Sequence, residues 1–150
     1  MYCIKNECNM RFHTVVSVYV LILSYIFELS IEKFLVILLT ISAVLASEMV
    51  NTTVEELSDI AVGDYSTSIK IVKDLAAGAV MISAIFSIVI GIFIFHDTQY
   101  YIKIFKYFCN YPLSVLAFAL SLCISYLYVK LGPNKIKEKI IKFKLWSRRT

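Results

Sequence analysis

Six carboxylates fall between residues 48 and 74: Glu48, Glu55, Glu56, Asp59, Asp64 and Asp74. Glu48, Asn51, Glu55 and Asp59 are spaced 3, 4 and 4 residues apart. At about 100° per residue, that spacing sets these four within roughly 80° of one helix face, with Glu56 turned away. Stacked like charges repel, and Glu48 adjoins an apolar run, so desolvation adds to the cost. Lys70 and Lys73 offset part of it. A divalent cation offsets more, since Mg²⁺ is held by one or two carboxylates together with substrate phosphates. Lys73 and Asp74 stand just before the small residues Ala76, Ala77, Gly78 and Ala79, which allow close helix approach. A lysine there reaches phosphate as a point charge. The pattern therefore points to metal-bound phosphate chemistry. Solvated acids at a helix end and a snorkelling Lys73 are the bland alternatives.

Glu7, Asn9 and Arg11 precede the first apolar run, where Glu7 could complete a metal site and Arg11 could meet phosphate. Each taken alone reads more readily as an ordinary interfacial charge. His13 and His96 have no helix-spaced His or Cys partner and are given no role. Walker and kinase loop signatures are missing, and with four glycines no cradle of backbone amides can form. Nucleotide chemistry would rest on carboxylate-bound metal and lysine. The cysteines, Cys3, Cys8, Cys109 and Cys123, lack metal-ligand spacing and read as free thiols.

The elements that position these residues are apolar. Of 150 residues, 59% are hydrophobic and 17% charged, and the mean hydropathy is +0.77. Water-soluble classes are set aside, and the fold expected is an all-α membrane protein, a transmembrane helical bundle. The first span, residues 12–27, has no signal-peptide cleavage site after it and is retained. Residues 28–33 form a polar turn. Residues 34–47 are too few to span alone, since a spanning helix needs about 20. The helical pattern continues through Asp59, so one helix enters lipid apolar and emerges acidic. Residues 62–66 are a turn, and residues 75–95 make the third span. Residues 98–110 alternate aromatics with lysines and suit an interface. Pro112 opens a fourth span over 113–129, Gly132-Pro133 stops it, and a basic tail follows.

With both termini on the cytoplasmic side, twelve Lys/Arg lie inside and three, Lys33, Lys103 and Lys106, outside. The acidic face then meets the cytoplasm. The basic tail reads as a flank on anionic lipid, and nucleic acid is not an expected partner, because no soluble scaffold presents the patch.

Three stretches carry a resemblance: residues 47–59 (SEMVNTTVEELSD), 70–80 (KIVKDLAAGAV) and 6–13 (NECNMRFH), with Gly63-Asp64-Tyr65 at the turn between. Over residues 5–96 the chain resembles the small bacterial membrane lipid kinases, diacylglycerol kinase and undecaprenol kinase. The resemblance implies a three-span kinase-like domain over 1–97, leaving 98–150 as an added interfacial segment, span and tail. It implies a homotrimer in the bacterial inner membrane with sites shared between neighbours. ATP and Mg²⁺ would serve transfer of the γ-phosphate to a lipid hydroxyl at the cytoplasmic face. Carried over by position, Glu48 is the catalytic base, and Glu7 and Glu55 are metal ligands. Asn51 and Arg11 are positioning residues. Asp59, Asp64, Tyr65, Lys73 and Asp74 belong to the nucleotide site. The stretches 9–13 and 70–74 look more like the Gram-positive branch, which favours undecaprenol, with diacylglycerol open. The rival reading is a non-catalytic assembly or lipid-binding relative, which the intact acidic stripe opposes. A third, a small ion-conducting bundle, would need polar residues at the membrane midplane, which the third and fourth spans lack.

Overall fold

The computed structural model describes residues 2–61 and 67–147, with side chains described as far as residue 136 except at 135. Six helices follow in order: α1 (Tyr2–Asn6), α2 (Cys8–Ile26), α3 (Ile31–Ala61), α4 (Thr67–Phe95), α5 (Thr98–Asn110) and α6 (Pro112–Ser147). Four of them, α2, α3, α4 and the first part of α6, are long and apolar enough to cross a membrane. Helix is the expected form here, because lipid leaves every backbone group to be bonded within its own segment. Hydroxyls in the spans follow the same rule. Thr14, Ser17, Ser24, Thr40, Ser42 and Ser83 each donate to the carbonyl four residues earlier, at 2.7 to 2.9 Å.

α3 packs along α4, while α2 lies between α3 and α6. The short α1 rests on α2 and α6. α3 is one unbroken helix from its apolar start to its acidic end, as the sequence pattern requires. The turn before it is tighter than the sequence suggests. Glu28 N donates to Tyr25 O at 3.1 Å and Leu29 N to Ser24 O at 3.2 Å, closing α2 with a Schellman cap. Glu28 takes the left-handed position at φ 53, usually held by glycine. This cap lets α3 begin at Ile31 instead of after residue 33.

At the same end, Phe27 stacks on Tyr100 at 4.6 Å and Lys103 pairs with Glu28 at 3.0 Å, so α5 is anchored on the α2–α3 turn. Asp97 caps α5 by accepting from Gln99 N at 2.9 Å. The fourth span then returns along α2. Tyr19 Oη lies 3.0 Å from Ser121 Oγ and 3.1 Å from Ser125 Oγ, and the Tyr19 and Phe118 rings meet edge to face. These are interhelical polar contacts of the kind that hold spans together in lipid.

Gly132-Pro133 breaks the axis of α6, as expected, but the chain resumes as helix through Ser147. Gly132 has φ 69 and ψ 162, a region essentially reserved for glycine. A Cβ there would come within 3.2 Å of the Arg11 guanidinium. Arg11 is only 5% exposed. Its Nε donates to Val129 O at 2.9 Å, and its Nη1 donates to Ile4 O at 3.3 Å and Lys5 O at 3.2 Å. Cys8 Sγ reaches the same Val129 carbonyl at 3.6 Å. One guanidinium thus ties α1, α2 and the end of the fourth span together. Gly132→Ala is expected to cost about 1–3 kcal/mol through backbone strain and displacement of Arg11. Thermal unfolding of the purified protein in detergent checks this, and a melting temperature equal to wild type would contradict it.

Candidate functional site

The acidic end of α3 is where the site forms. Glu48 is the most enclosed charged group there, with its side chain 3% exposed. Its carboxylate meets His13 of α2, Nε2 to Oε1 at 3.3 Å. The charges of Glu55 and Glu7 also lie close enough to act on Glu48. Thr52 Oγ1 bonds the Glu48 carbonyl at 3.0 Å and holds the helix turn beneath it. α2 and α3 therefore bring together the residues that sequence spacing puts on different elements.

Asn51 is buried beside this cluster. Its Nδ2 donates to Glu55 Oε1 at 3.0 Å, and its Oδ1 is a buried acceptor with no partner. A buried amide oxygen left unsatisfied carries a free-energy cost of about 1–3 kcal/mol, and a bound donor or cation would offset it. Glu7 holds the N-cap position of α2 with extended backbone, φ −94 and ψ 124, and its carboxylate makes no capping bond. It is half-buried and remains available to a ligand. Among the described residues, no group of three His, Cys, Asp or Glu converges as a metal cage. The oxygens of Glu7, Glu55 and Asn51 nevertheless suit a hard cation that takes its other ligands from phosphate.

One to three turns further on, the site opens to solvent. Lys73 Nζ of α4 pairs with Asp59 Oδ1 of α3 at 2.6 Å, with the side chains 36% and 72% exposed. Glu55 acts on Lys73 as well. Asp74 is exposed on α4. Asp64 and Tyr65 lie outside the described residues. Arg11 is committed to the backbone junction described above, so its contacts are those of a clamp. Glu56 lies off the acidic face and accepts from Tyr2 Oη at 2.7 Å, docking α1 onto α3. That bond, with the neighbouring negative charge, holds the Tyr2 phenol above its ordinary range.

His13 is the residue that sequence reasoning missed. Helical spacing within its own element offers it no partner, because its partner is on the next helix. The available signal was position, since His13 closes the stretch 6–13 that carries the family resemblance. His13 also lines the head of an apolar groove of about 250 Å³ between α2, α3 and α4. The groove runs past Val16, Val20, Ile37 and Val44 toward Phe95.

The Lys73–Asp59 pair is too exposed to hold the fold, because ion pairs at such sites contribute about 0–1 kcal/mol. Lys73→Met is expected to change stability by less than about 0.5 kcal/mol. A melting curve in detergent checks this, and a larger loss would make Lys73 structural.

The family model described as "Prokaryotic diacylglycerol kinase" matches residues 1–95. The undecaprenol kinase of Bacillus subtilis (strain 168) is 36% identical over 91 residues, covering 61% of this chain and 74% of that protein. The diacylglycerol kinase of Synechocystis sp. is 35% identical over 91 residues, covering 60% of this chain and 52% of that protein. No solved structure matches the chain significantly.

Proposed function

This chain belongs to the prokaryotic diacylglycerol kinase family, and from that membership we infer that it is a membrane lipid kinase. It transfers the γ-phosphate of ATP to a lipid hydroxyl, with undecaprenol preferred over diacylglycerol. The observation that carries this reading is the enclosed Glu48 carboxylate in contact with His13, which lines the head of an apolar groove, with Glu55, Asn51, Asp59 and Lys73 leading from Glu48 to solvent. An enzyme joining a water-soluble phosphate donor to a lipid alcohol needs that sequence of environments. A polar channel for one substrate must meet an apolar one for the other at a base.

In the mechanism proposed, the lipid chain lies in the groove with its hydroxyl toward Glu48. Glu48 accepts the hydroxyl proton as the oxygen attacks the γ-phosphorus, and the bond to the β-phosphate oxygen breaks with ADP leaving. Lys73 leaves Asp59 to meet phosphate oxygens, which the exposure of the pair permits. Glu7, Glu55 and the free Asn51 oxygen would hold Mg²⁺, which supplies neutralisation of phosphate charge. Asp74, with Asp64 and Tyr65, would border the nucleotide. Positioning and charge, not covalent chemistry, supply most of the rate in such transfers.

The membrane is the bacterial inner membrane, with the site on the cytoplasmic face, supported by the twelve-to-three Lys/Arg asymmetry. The working form is a homotrimer. Its support is the family resemblance of residues 5–96.

The test uses purified protein in detergent micelles with labelled ATP, and undecaprenol and diacylglycerol offered in parallel. Label is expected in undecaprenol, and chelation of Mg²⁺ is expected to stop it. Glu48→Gln is expected to lower kcat by about 10²–10⁴. Label in neither lipid would return the reading to a non-catalytic assembly protein. A Glu48→Gln enzyme with wild-type turnover would remove Glu48 as the base.

A further inference from the structure

We propose that His13 is the positioning residue for Glu48 in phosphoryl transfer, an inference that rests on the kinase reading above. His13 Nε2 faces Glu48 Oε1 at 3.3 Å across the α2–α3 interface, where the side chains are 18% and 3% exposed. A carboxylate so enclosed cannot draw its hydrogen bonds from bulk water. In this scheme the imidazole supplies a donor from the nitrogen that faces the oxygen, Nε2.

Two geometric facts make this more than a satisfied buried pair. The contact holds Oε1 on the His13 side and restricts rotation of the carboxylate, and in this scheme Oε2 accepts the proton. Proton transfer requires the base within hydrogen-bonding reach of the hydroxyl and correctly oriented, so a freely rotating carboxylate would be a poorer base. His13 also lines the head of the apolar groove together with Val16 and Val44. Its ring is braced edge to face by Phe12 at 5.5 Å. The residue that orients the base therefore also stands where the end of a groove-bound lipid chain would arrive. His13 transfers no proton in this scheme. The proton lost by the hydroxyl goes to Glu48.

The experiment uses the full chain in micelles with labelled ATP and the lipid found to be phosphorylated. His13→Phe keeps ring size and removes the donor. His13→Gln restores an N–H donor. His13→Phe is expected to lower kcat by about ten- to a hundredfold, the range for loss of a partner that orients a functional ligand. KM for ATP should stay within about twofold, because only the base is disturbed. His13→Gln should recover most of the lost kcat. In a Glu48→Gln background, His13→Phe should cause no further loss, since the two act as one unit.

Wild-type kcat in His13→Phe, equal losses in the Phe and Gln variants, or an additive loss on top of Glu48→Gln would each overturn the proposal. If His13→Phe does not fold, the ¹⁵N shift of His13 Nε2 decides. It should move between wild type and Glu48→Gln, and an unchanged shift overturns the contact. Loss of activity in Glu48→Gln with none in His13→Phe sinks this inference and leaves the kinase standing. A wild-type chain without turnover on either lipid sinks both.

Discussion

A carboxylate taken out of water at the edge of a bilayer must be given partners by the protein, and Glu48 imposes that requirement on everything around it. An isolated charge in such a place is costly, and the cost is relieved only by hydrogen bonds or opposite charge held close. His13 supplies this from the neighbouring helix at 3.3 Å. The contact fixes the register of α2 against α3, because sliding either helix by one turn would separate the pair. Asn51, Thr52 and Ser58 are buried on the same helix. The groove that ends at His13 lies between these two helices and α4.

From this enclosed point the environment changes in one direction along α3. Glu48 is enclosed, Asn51 keeps one oxygen unpartnered, Glu55 is half-buried and Asp59 lies in solvent. A single straight helix produces that gradient by climbing out of the membrane. Its four polar residues stay on one face while their depth changes by about 1.5 Å per residue. α4 contributes Lys73 at the exposed end, where its pair with Asp59 faces solvent and adds little to stability.

The chain beyond the family match is not an appendage resting on lipid alone. α5 is anchored at the turn by the Phe27–Tyr100 stack, and the fourth span is held along α2 by the Tyr19–serine cluster. Arg11 closes the far end by taking backbone carbonyls from α1 and α6 at once. Since Glu7 stands between α1 and α2, the same clamp that seats the added span also fixes the backbone carrying Glu7. Gly132 makes room for it, because a side chain at that position would occupy the space of the guanidinium.

Apolar runs in lipid have no alternative to helix, so the sequence alone determined the all-α membrane fold and the continuation of α3 through the acidic stripe. The one-face spacing of Glu48, Asn51, Glu55 and Asp59 was equally legible, because residues on one helix are related by a fixed rotation. The α2–α3 cap was not, since Glu28 in a left-handed conformation breaks the local preference for glycine. Arg11 reads in the sequence as an interfacial cation or a phosphate contact, whereas the structure gives it carbonyl partners in α1 and, far along the chain, in α6. His13 reads as idle because its partner lies on another helix. Contacts between helices depend on register and crossing geometry, which no local spacing encodes. Only the tertiary structure could decide that a histidine of the first span and a glutamate of the second form one unit.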